Sequence, residues 1–280
     1  MTLHKSILEL TEQYLSYQKD LSGNNLYLNQ HFNFKNNEKT HQQDKLITNS
    51  ENKLQLDKSP KKSISNSHAV NNLISDQTKN QNETISKDWA DATSMAELNT
   101  KIENCKNCIL GNSRLNFVFG TGNHHADILI IGEAPGADED ELGKPFVGRA
   151  GQLLTKILEA INLSREEVFI ANILKCRPPN NRVPTPAEVE QCEPYLKKQI
   201  ELIKPEFILA LGLTAANTLF KSNFKMADIR GQIKIYNNIK TLVTYHPSAL
   251  LRNPNWKTAT WEDVKLLRSM YDEYLKSKIN

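Results

Sequence analysis

Four short apolar runs, each separated from the next by a helical pattern, recur between residues 127 and 245. Asp127-Ile128-Leu129-Ile130-Ile131-Gly132 is the first, and Val168 to Leu174, Phe207 to Gly212 and Thr241 to Tyr245 follow. Their length and β-branched content predict buried strands. Between them, Gly151 to Ile161 places Leu153, Leu154, Ile157, Leu158 and Ile161 on one helical side. Pro186 to Ile203 predicts a helix with Thr185 as its N-cap. A further helix starts from Thr214, Trp261 to Lys276 forms a closing one, and Met95, Leu98 and Ile102 have helical spacing ahead of the first strand. This alternation predicts an α/β fold, a three-layer αβα sandwich around a four-stranded, mostly parallel sheet. Such sheets bind ligands outside the carboxyl ends of their strands. The candidate functional residues are therefore Gly132-Glu133-Ala134-Pro135-Gly136, Asn172 with Lys175 and Cys176, Gly212 with Thr214, and His246-Pro247-Ser248.

Composition limits this fold to part of the chain. All eight arginines lie at Arg114 or later, and ten of the eleven prolines follow residue 134. The first 86 or so residues are rich in Asn, Lys, Ser and Gln and poor in aromatics. Such a stretch buries too little apolar area to offset the chain entropy lost on folding. The expected organisation is an N-terminal extension, 1–86, with a short amphipathic helix over 3–21 and then a disordered linker, followed by a folded domain over 87–280. The net charge of +3 excludes a histone-like polycation but allows a local basic groove. No apolar run reaches the ~20 residues that span a bilayer, and the N-terminus lacks the apolar core of a secretory signal. The expected setting is cytoplasmic and reducing, where four cysteines read as metal ligands or catalytic groups rather than disulfides.

The cysteines are spaced Cys105-x2-Cys108, then Cys176-x15-Cys192. A Cys-x2-Cys pair gives a compact two-thiolate bite, and two further thiolates complete a tetrahedral zinc site or hold a cubane iron–sulfur cluster. A zinc ribbon uses two close pairs, whereas the second pair here is split, so spacing favours iron–sulfur by a narrow margin. Four unrelated buried cysteines are the bland alternative. The polar residues around Cys105 and Cys108 give no reason to bury apolar thiols there.

Gly132-Glu133-Ala134-Pro135-Gly136 is neither a dinucleotide fingerprint nor a phosphate loop. It offers a carboxylate in a tight turn, with more at Asp138, Glu139, Asp140 and Glu141. Phe119-Gly120-Thr121-Gly122 reads as a turn before the first strand.

Taken together, the motifs from Met95 to Tyr274 resemble the family 4, iron–sulfur uracil-DNA glycosylases. They are Cys105-x2-Cys108, Gly-Glu-Ala-Pro-Gly at 132–136 and Gly-Lys-Pro-Phe-Val-Gly-Arg-Ala-Gly at 143–151. Asn-Ile-Leu-Lys-Cys-Arg-Pro-Pro at 172–179, Cys192 and His-Pro-Ser-Ala-Leu-Leu-Arg-Asn-Pro at 246–254 complete the set. The resemblance implies one 4Fe–4S cluster on Cys105, Cys108, Cys176 and Cys192, with a structural role. It implies a uracil pocket made from Gly132, Gly136, Glu139, Phe146, Asn172 and His246. Phe146 would be the stacking wall. The Asn172 amide has both the acceptor for uracil N3–H and the donor for O4, a pattern that cytosine reverses. His246 would donate to O2 and stabilise the leaving anion. Better-known relatives place a carboxylate where this chain has Ala134. The attacking water would then be positioned by backbone groups from Glu133 to Gly136, with Glu133 as the candidate side chain. Glu139 matches a position associated with excluding the thymine methyl group.

The partner implied is uracil-containing DNA, single- or double-stranded, met by a monomer; no partner is inferred for the extension, and no membrane is involved. An apolar wedge from Leu250 and Leu251 would fill the vacated stack, with one of the two packing in the core. Arg149, Lys175, Arg177, Arg182 and Arg252 would meet phosphates. Two other readings compete with base excision. One is a covalent uracil-DNA binder of the kind known as an offshoot of this family. The short Lys175 to Pro186 segment and the absence of histidine between His125 and His246 argue against it. The other is a cluster-bearing electron-transfer or structural nucleic-acid module, which has no need for Phe146, Asn172 and His246 to converge.

Overall fold

The computed structural model describes residues 87–279. The expected helix over 3–21 and linker to 86 lie outside them. Six strands form one sheet: β1 (Thr121–Gly122), β2 (Ile128–Gly132), β3 (Phe169–Asn172), β4 (Phe207–Leu211), β5 (Lys234–Tyr236) and β6 (Ile239–Thr244). Their order is β1-β3-β2-β4-β6-β5. The four expected runs are the central strands β3-β2-β4-β6, all mutually parallel.

The expectation of four strands is corrected to six, because an antiparallel strand closes each edge. β1 has two residues and falls inside the segment that reads as a turn. Its Gly122, at φ +123°, runs so close to β3 that a Cβ there would sit 1.9 Å from the Val168 carbonyl oxygen. β5 is three residues long and turns into β6 through Asn237 and Asn238, both at positive φ. That is the backbone a two-residue hairpin demands.

Alternate strand residues separate the core into two layers. Leu129, Ile131, Ile208, Ala210 and Val243 face one side. There they meet α1 (Met95–Ile102) through Leu98 and Ile102, and, through Tyr195, Leu196 and Ile200, the helix over Pro186–Ile203. Ile128, Ile130, Leu209, Leu211 and Leu242 face the other side. There they pack on Leu154 and Leu158 of Arg149–Ala160 and on Val264 and Leu267 of Lys257–Ile279. Numbered in chain order, the remaining helices used below are α2 (Ala137–Leu142), α3 (Arg149–Ala160), α4 (Pro186–Ile203), α5 (Leu213–Phe220), α6 (Pro247–Arg252) and α7 (Lys257–Ile279). Both faces of the central strands are covered, which is why β2 and β4 are apolar along their whole length rather than alternating. No helix among the described residues is long and apolar enough to cross a membrane.

The predicted start of α4 is exact in its chemistry. Thr185 accepts the Glu188 N–H, and the Glu188 carboxylate returns to the Thr185 N–H at 2.8 Å. Arg182 grips the same carboxylate through both terminal nitrogens, at 2.5 and 2.8 Å. Bonding to Arg182, and then to Thr185, holds the buried Glu188 down at about 2. A carboxyl depressed on folding contributes stability that is fully present above its unfolded pKa, about 4.3, and is lost as the pH falls through the folded value. Glu188→Gln is therefore expected to cost about 1–2 kcal/mol at pH 7, with the two proteins converging near pH 2. Urea unfolding at both pH values checks this.

Candidate active site

The parallel register sets the site. Gly132 lies beside Asn172, Ile131 beside Ala210, and Leu211 beside Thr244. The segments that follow emerge along one edge and surround a cavity of about 700 Å³. The chain passes from β2 to β3 on one side and to β4 on the other, so this is the topological switch point of the sheet. Glu133, Ala134, Phe146, Asn172 and His246 all line the cavity.

The loop after β2 ends at Gly136, the N-cap of α2. Glu139 holds it there: one carboxylate oxygen accepts the Gly136 N–H at 3.0 Å, and the other accepts Val147 and Gly148 N–H at 2.9 and 3.0 Å. Asp140 is buried and accepts the N–H groups of Leu115 and Asn116. The run of acids from Asp138 to Glu141 thus contains two carboxylates that fasten backbone. Glu139 lines the cavity with both oxygens committed to this task.

Phe146 is buried at φ +52°, a left-handed backbone that is uncommon for an aromatic residue. Gly151 permits it, because a Cβ at 151 would lie 1.9 Å from the Phe146 carbonyl oxygen. The Phe146 ring sits 5.5 Å from the His246 ring, tilted by 33°. A Cβ on Gly132 would lie 2.4 Å from Asn172 Oδ1 and 2.6 Å from the Phe146 ring. Asn172, the last residue of β3, is 2% exposed, and its Oδ1 has no hydrogen-bond partner.

His246 is the N-cap of α6. Its Nδ1 accepts the Ser248 N–H at 3.2 Å and lies 2.8 Å from the Ser248 hydroxyl. An acceptor Nδ1 leaves the proton on Nε2. Burial, with a smaller contribution from Arg252, pushes the imidazole down to about 4. His246 is therefore a neutral donor at physiological pH. Gly212, at φ +90°, passes His246 with room for no more than a tight contact, 3.2 Å from an imagined Cβ to that of His246.

The cations divide. Arg149 and Arg252 are exposed and line the cavity. Arg182 also lines it but is committed to Glu188, and Arg177 is half-buried with its Nε on Asn181 Oδ1 at 2.7 Å. Lys175 is the correction: it is fully buried and cannot reach a phosphate. Its ammonium donates to the Asn172 carbonyl at 2.9 Å and to Gln199 Oε1 at 2.6 Å. Burial pulls it down to about 8. In α6, Leu250 packs in the core and Leu251 is 40% exposed, the expected division.

All four cysteines are free thiols. Cys105 and Cys108 are half-buried and Cys176 and Cys192 buried. Three elements meet there: the segment after α1, the residue after Lys175, and α4. Donors surround the sulfurs: Tyr195 OH and Asn107 N–H to Cys105, Arg114 to Cys176, and Lys175 N–H to Cys192, at 3.1–3.4 Å. Burial pushes the Cys176 thiol up and Cys192 to about 12. Among the described residues, no three His, Cys, Asp or Glu side chains are placed to hold a single metal ion.

An aromatic wall, an unpartnered amide oxygen and a neutral imidazole meet around one cavity at the switch point of an α/β sheet. Residues 119–265 match the Uracil DNA glycosylase superfamily, and the chain belongs to it, within its type-4 branch. It is 44% identical to the type-4 uracil-DNA glycosylase of Archaeoglobus fulgidus over 182 residues, 61% of this chain and 90% of that protein. With the type-4 uracil-DNA glycosylase of Saccharolobus solfataricus it shares 47% over 187 residues, 64% of this chain and 85% of that protein. A type-5 uracil-DNA glycosylase of Pyrobaculum aerophilum is 30% identical over 146 residues, 46% of this chain and 64% of that protein.

The sequence reading missed the backbone roles of Glu139, Gly151 and Asp140, and the aromatic pair Tyr245 and Trp256 at the cavity wall. Gly132→Ala is expected to cost about 1–3 kcal/mol, since the amide and ring must both yield to the new methyl. Thermal unfolding checks it, and an unchanged melting temperature would show that they shift without strain.

Proposed function

We infer that the chain is a monofunctional uracil-DNA glycosylase that takes uracil out of the DNA stack, hydrolyses its N-glycosidic bond and leaves an abasic site. The observation that carries this is the buried, unpartnered Asn172 Oδ1 in the cavity wall. A buried acceptor without a partner is costly unless a ligand supplies the donor. In the proposed complex it accepts uracil N3–H while the amide N–H₂ donates to O4. Cytosine has no N3–H and presents an amino group where O4 would be, so donors face donors. Phe146 stacks on the ring, and Glu139 fixes the Gly136 and Val147–Gly148 backbone that shapes the pocket.

Bond breaking sends the electron pair of the C1′–N1 bond into the uracil ring and leaves an oxocarbenium-like sugar. His246 Nε2–H donates to O2, where the charge develops, and keeps its proton. Water forms the new C1′–O bond from a place held by backbone groups around Glu133 to Gly136, with the Glu133 carboxylate as candidate acceptor of the water proton. Ala134 contributes space rather than a base. Arg149, Arg177, Arg182 and Arg252 are assigned to phosphates, with Arg149 and Arg252 foremost because neither is tied to a carboxylate. Leu251 is assigned to the wedge.

Cys105, Cys108, Cys176 and Cys192 would hold one 4Fe–4S cluster. Four thiols from three segments with hydrogen-bond donors on the sulfurs suit a cluster. The split second pair, Cys176-x15-Cys192, favours the cluster over a zinc ribbon, which uses two close pairs. Such a group supplies a structural cross-link between the Cys105 segment and the end of β3. The protein is proposed to act as a cytoplasmic monomer on single- or double-stranded DNA.

The decisive experiment incubates the purified protein with a uracil oligonucleotide and a cytosine control, then splits each sample between alkali and denaturing electrophoresis. Alkali-dependent cleavage at uracil alone supports the reading. A denaturant-stable protein–DNA band would instead indicate the covalent binder, and the absence of both signals would overturn the enzyme reading. His246→Ala is expected to lower kcat by about 10²–10³; Asn172→Ala should abolish the preference for uracil over cytosine. Because His246 is already neutral above a pH of about 4, kcat should show no inflection from it between pH 5 and 8. A rate rising as the pH falls through 6.5 would reveal an imidazolium donor and contradict the assigned tautomer.

A further inference from the structure

Two aromatic residues at the cavity wall have no part in the reaction derived above. Tyr245 and Trp256 stack with ring centroids 4.6 Å apart and planes 12° from parallel. Both line the cavity that contains Asn172 and His246. Trp256 is nonetheless 39% exposed, among the few large apolar side chains that remain so. With Leu251, 40% exposed, it puts two outward apolar groups in the segment that follows His246.

The pair is held rigidly. Tyr245 follows directly on Thr244, whose hydroxyl donates to the buried Asp263 at 2.7 Å. Arg230 lies over the Tyr245 ring at 6.0 Å and is anchored to Asp263 and to the Ala259 carbonyl. Trp256 ends a 3₁₀ turn begun by Pro254; its N–H donates to the Asn253 carbonyl, and its own carbonyl accepts the Thr260 hydroxyl. Tyr245 stacks on one face of the indole, Trp256 remains 39% exposed, and Arg252, an exposed cation, lines the same cavity.

A rigid, exposed aromatic beside a cation is the arrangement that receives single-stranded nucleobases. We propose that Tyr245 and Trp256 form a second subsite, a stacking platform for the nucleobase adjacent to the extruded uridine in the same strand. This rests on the uracil-DNA reading. When uridine leaves the stack, its neighbour loses a stacking partner. Trp256 replaces that partner while Leu251 fills the gap. The platform reads no hydrogen bonds, so it accepts any base and fails only where the base is missing.

The test crosses the protein with its substrate. Uracil oligonucleotides are made with intact neighbours, or with a stable abasic analogue on one side or the other of the uracil. Wild-type protein and Trp256→Ala are compared on each. The expected result is a rise in KM of roughly tenfold to a hundredfold for Trp256→Ala on the intact strand, with a much smaller change in kcat. Removing the correct neighbouring base should cost wild type a similar factor and cost the variant nothing further. Trp256→Phe should recover most of the loss, and 2-aminopurine at that neighbour should be quenched on binding wild type or Trp256→Phe. An unchanged KM for Trp256→Ala, or the same penalty with and without the neighbouring base, would overturn the platform. If Trp256→Ala does not fold, the wild-type abasic series and the quenching of 2-aminopurine still decide it. Uracil release by wild type on the intact strand tests the parent reading separately.

Discussion

At the end of β2, the Asn172 amide and the Phe146 ring both press into the volume that a side chain on residue 132 would fill. Their meeting across that one glycine fixes the rest of the site. Phe146 reaches it only by adopting a left-handed backbone, which Gly151 makes room for and Glu139 steadies through the next two N–H groups. The same carboxylate holds Gly136, so the loop after β2 and the loop before α3 share a single anchor. His246, just beyond β6 at the start of α6, faces this assembly and packs against Gly212. Strain in a functional backbone survives only where its surroundings over-determine it, and here each neighbour is itself tied down.

Behind the pocket lies a second dependency. Lys175 is a buried ammonium whose hydrogen-bond partners are a backbone carbonyl and a glutamine rather than a carboxylate. Gln199 in turn donates to the Phe119 carbonyl. The Lys175 backbone N–H meets the Cys192 sulfur. One residue therefore touches the carbonyl of the amide-bearing strand end, helix α4 and the cysteine group. The asparagine is held from its main chain, and its buried side-chain oxygen is left without a partner.

Much of this was legible in the chain. Strands β2 and β4 announced themselves because both their faces are covered and their runs are apolar throughout, and once the central strands were placed their ends located Gly132, Asn172 and His246. The cap of α4 follows from Thr185. What escaped depends on partners distant in sequence. Two-residue β1 has no pattern to detect; it exists because Gly122 can approach Val168. Lys175 looks like a surface cation until Gln199, 24 positions on, closes over it. Glu139 and Asp140 look like solvated acids until the 146–148 loop and Leu115 bring their N–H groups. Trp256 gives no signal of its own, since a tryptophan before a helix is most simply read as core.

The Asn172 amide sits on the last residue of an interior strand, paired in register with β2 and fixed from behind. Such a reader has almost no travel. If it reads the base as proposed, it cannot reach into a helix for it, so the nucleic acid must supply the motion. Under the proposed reaction, the energy of distortion falls on the substrate. Steps that unstack readily present their base at lower cost, and the surrounding sequence enters the rate through the mechanics of DNA rather than through any contact with its edges.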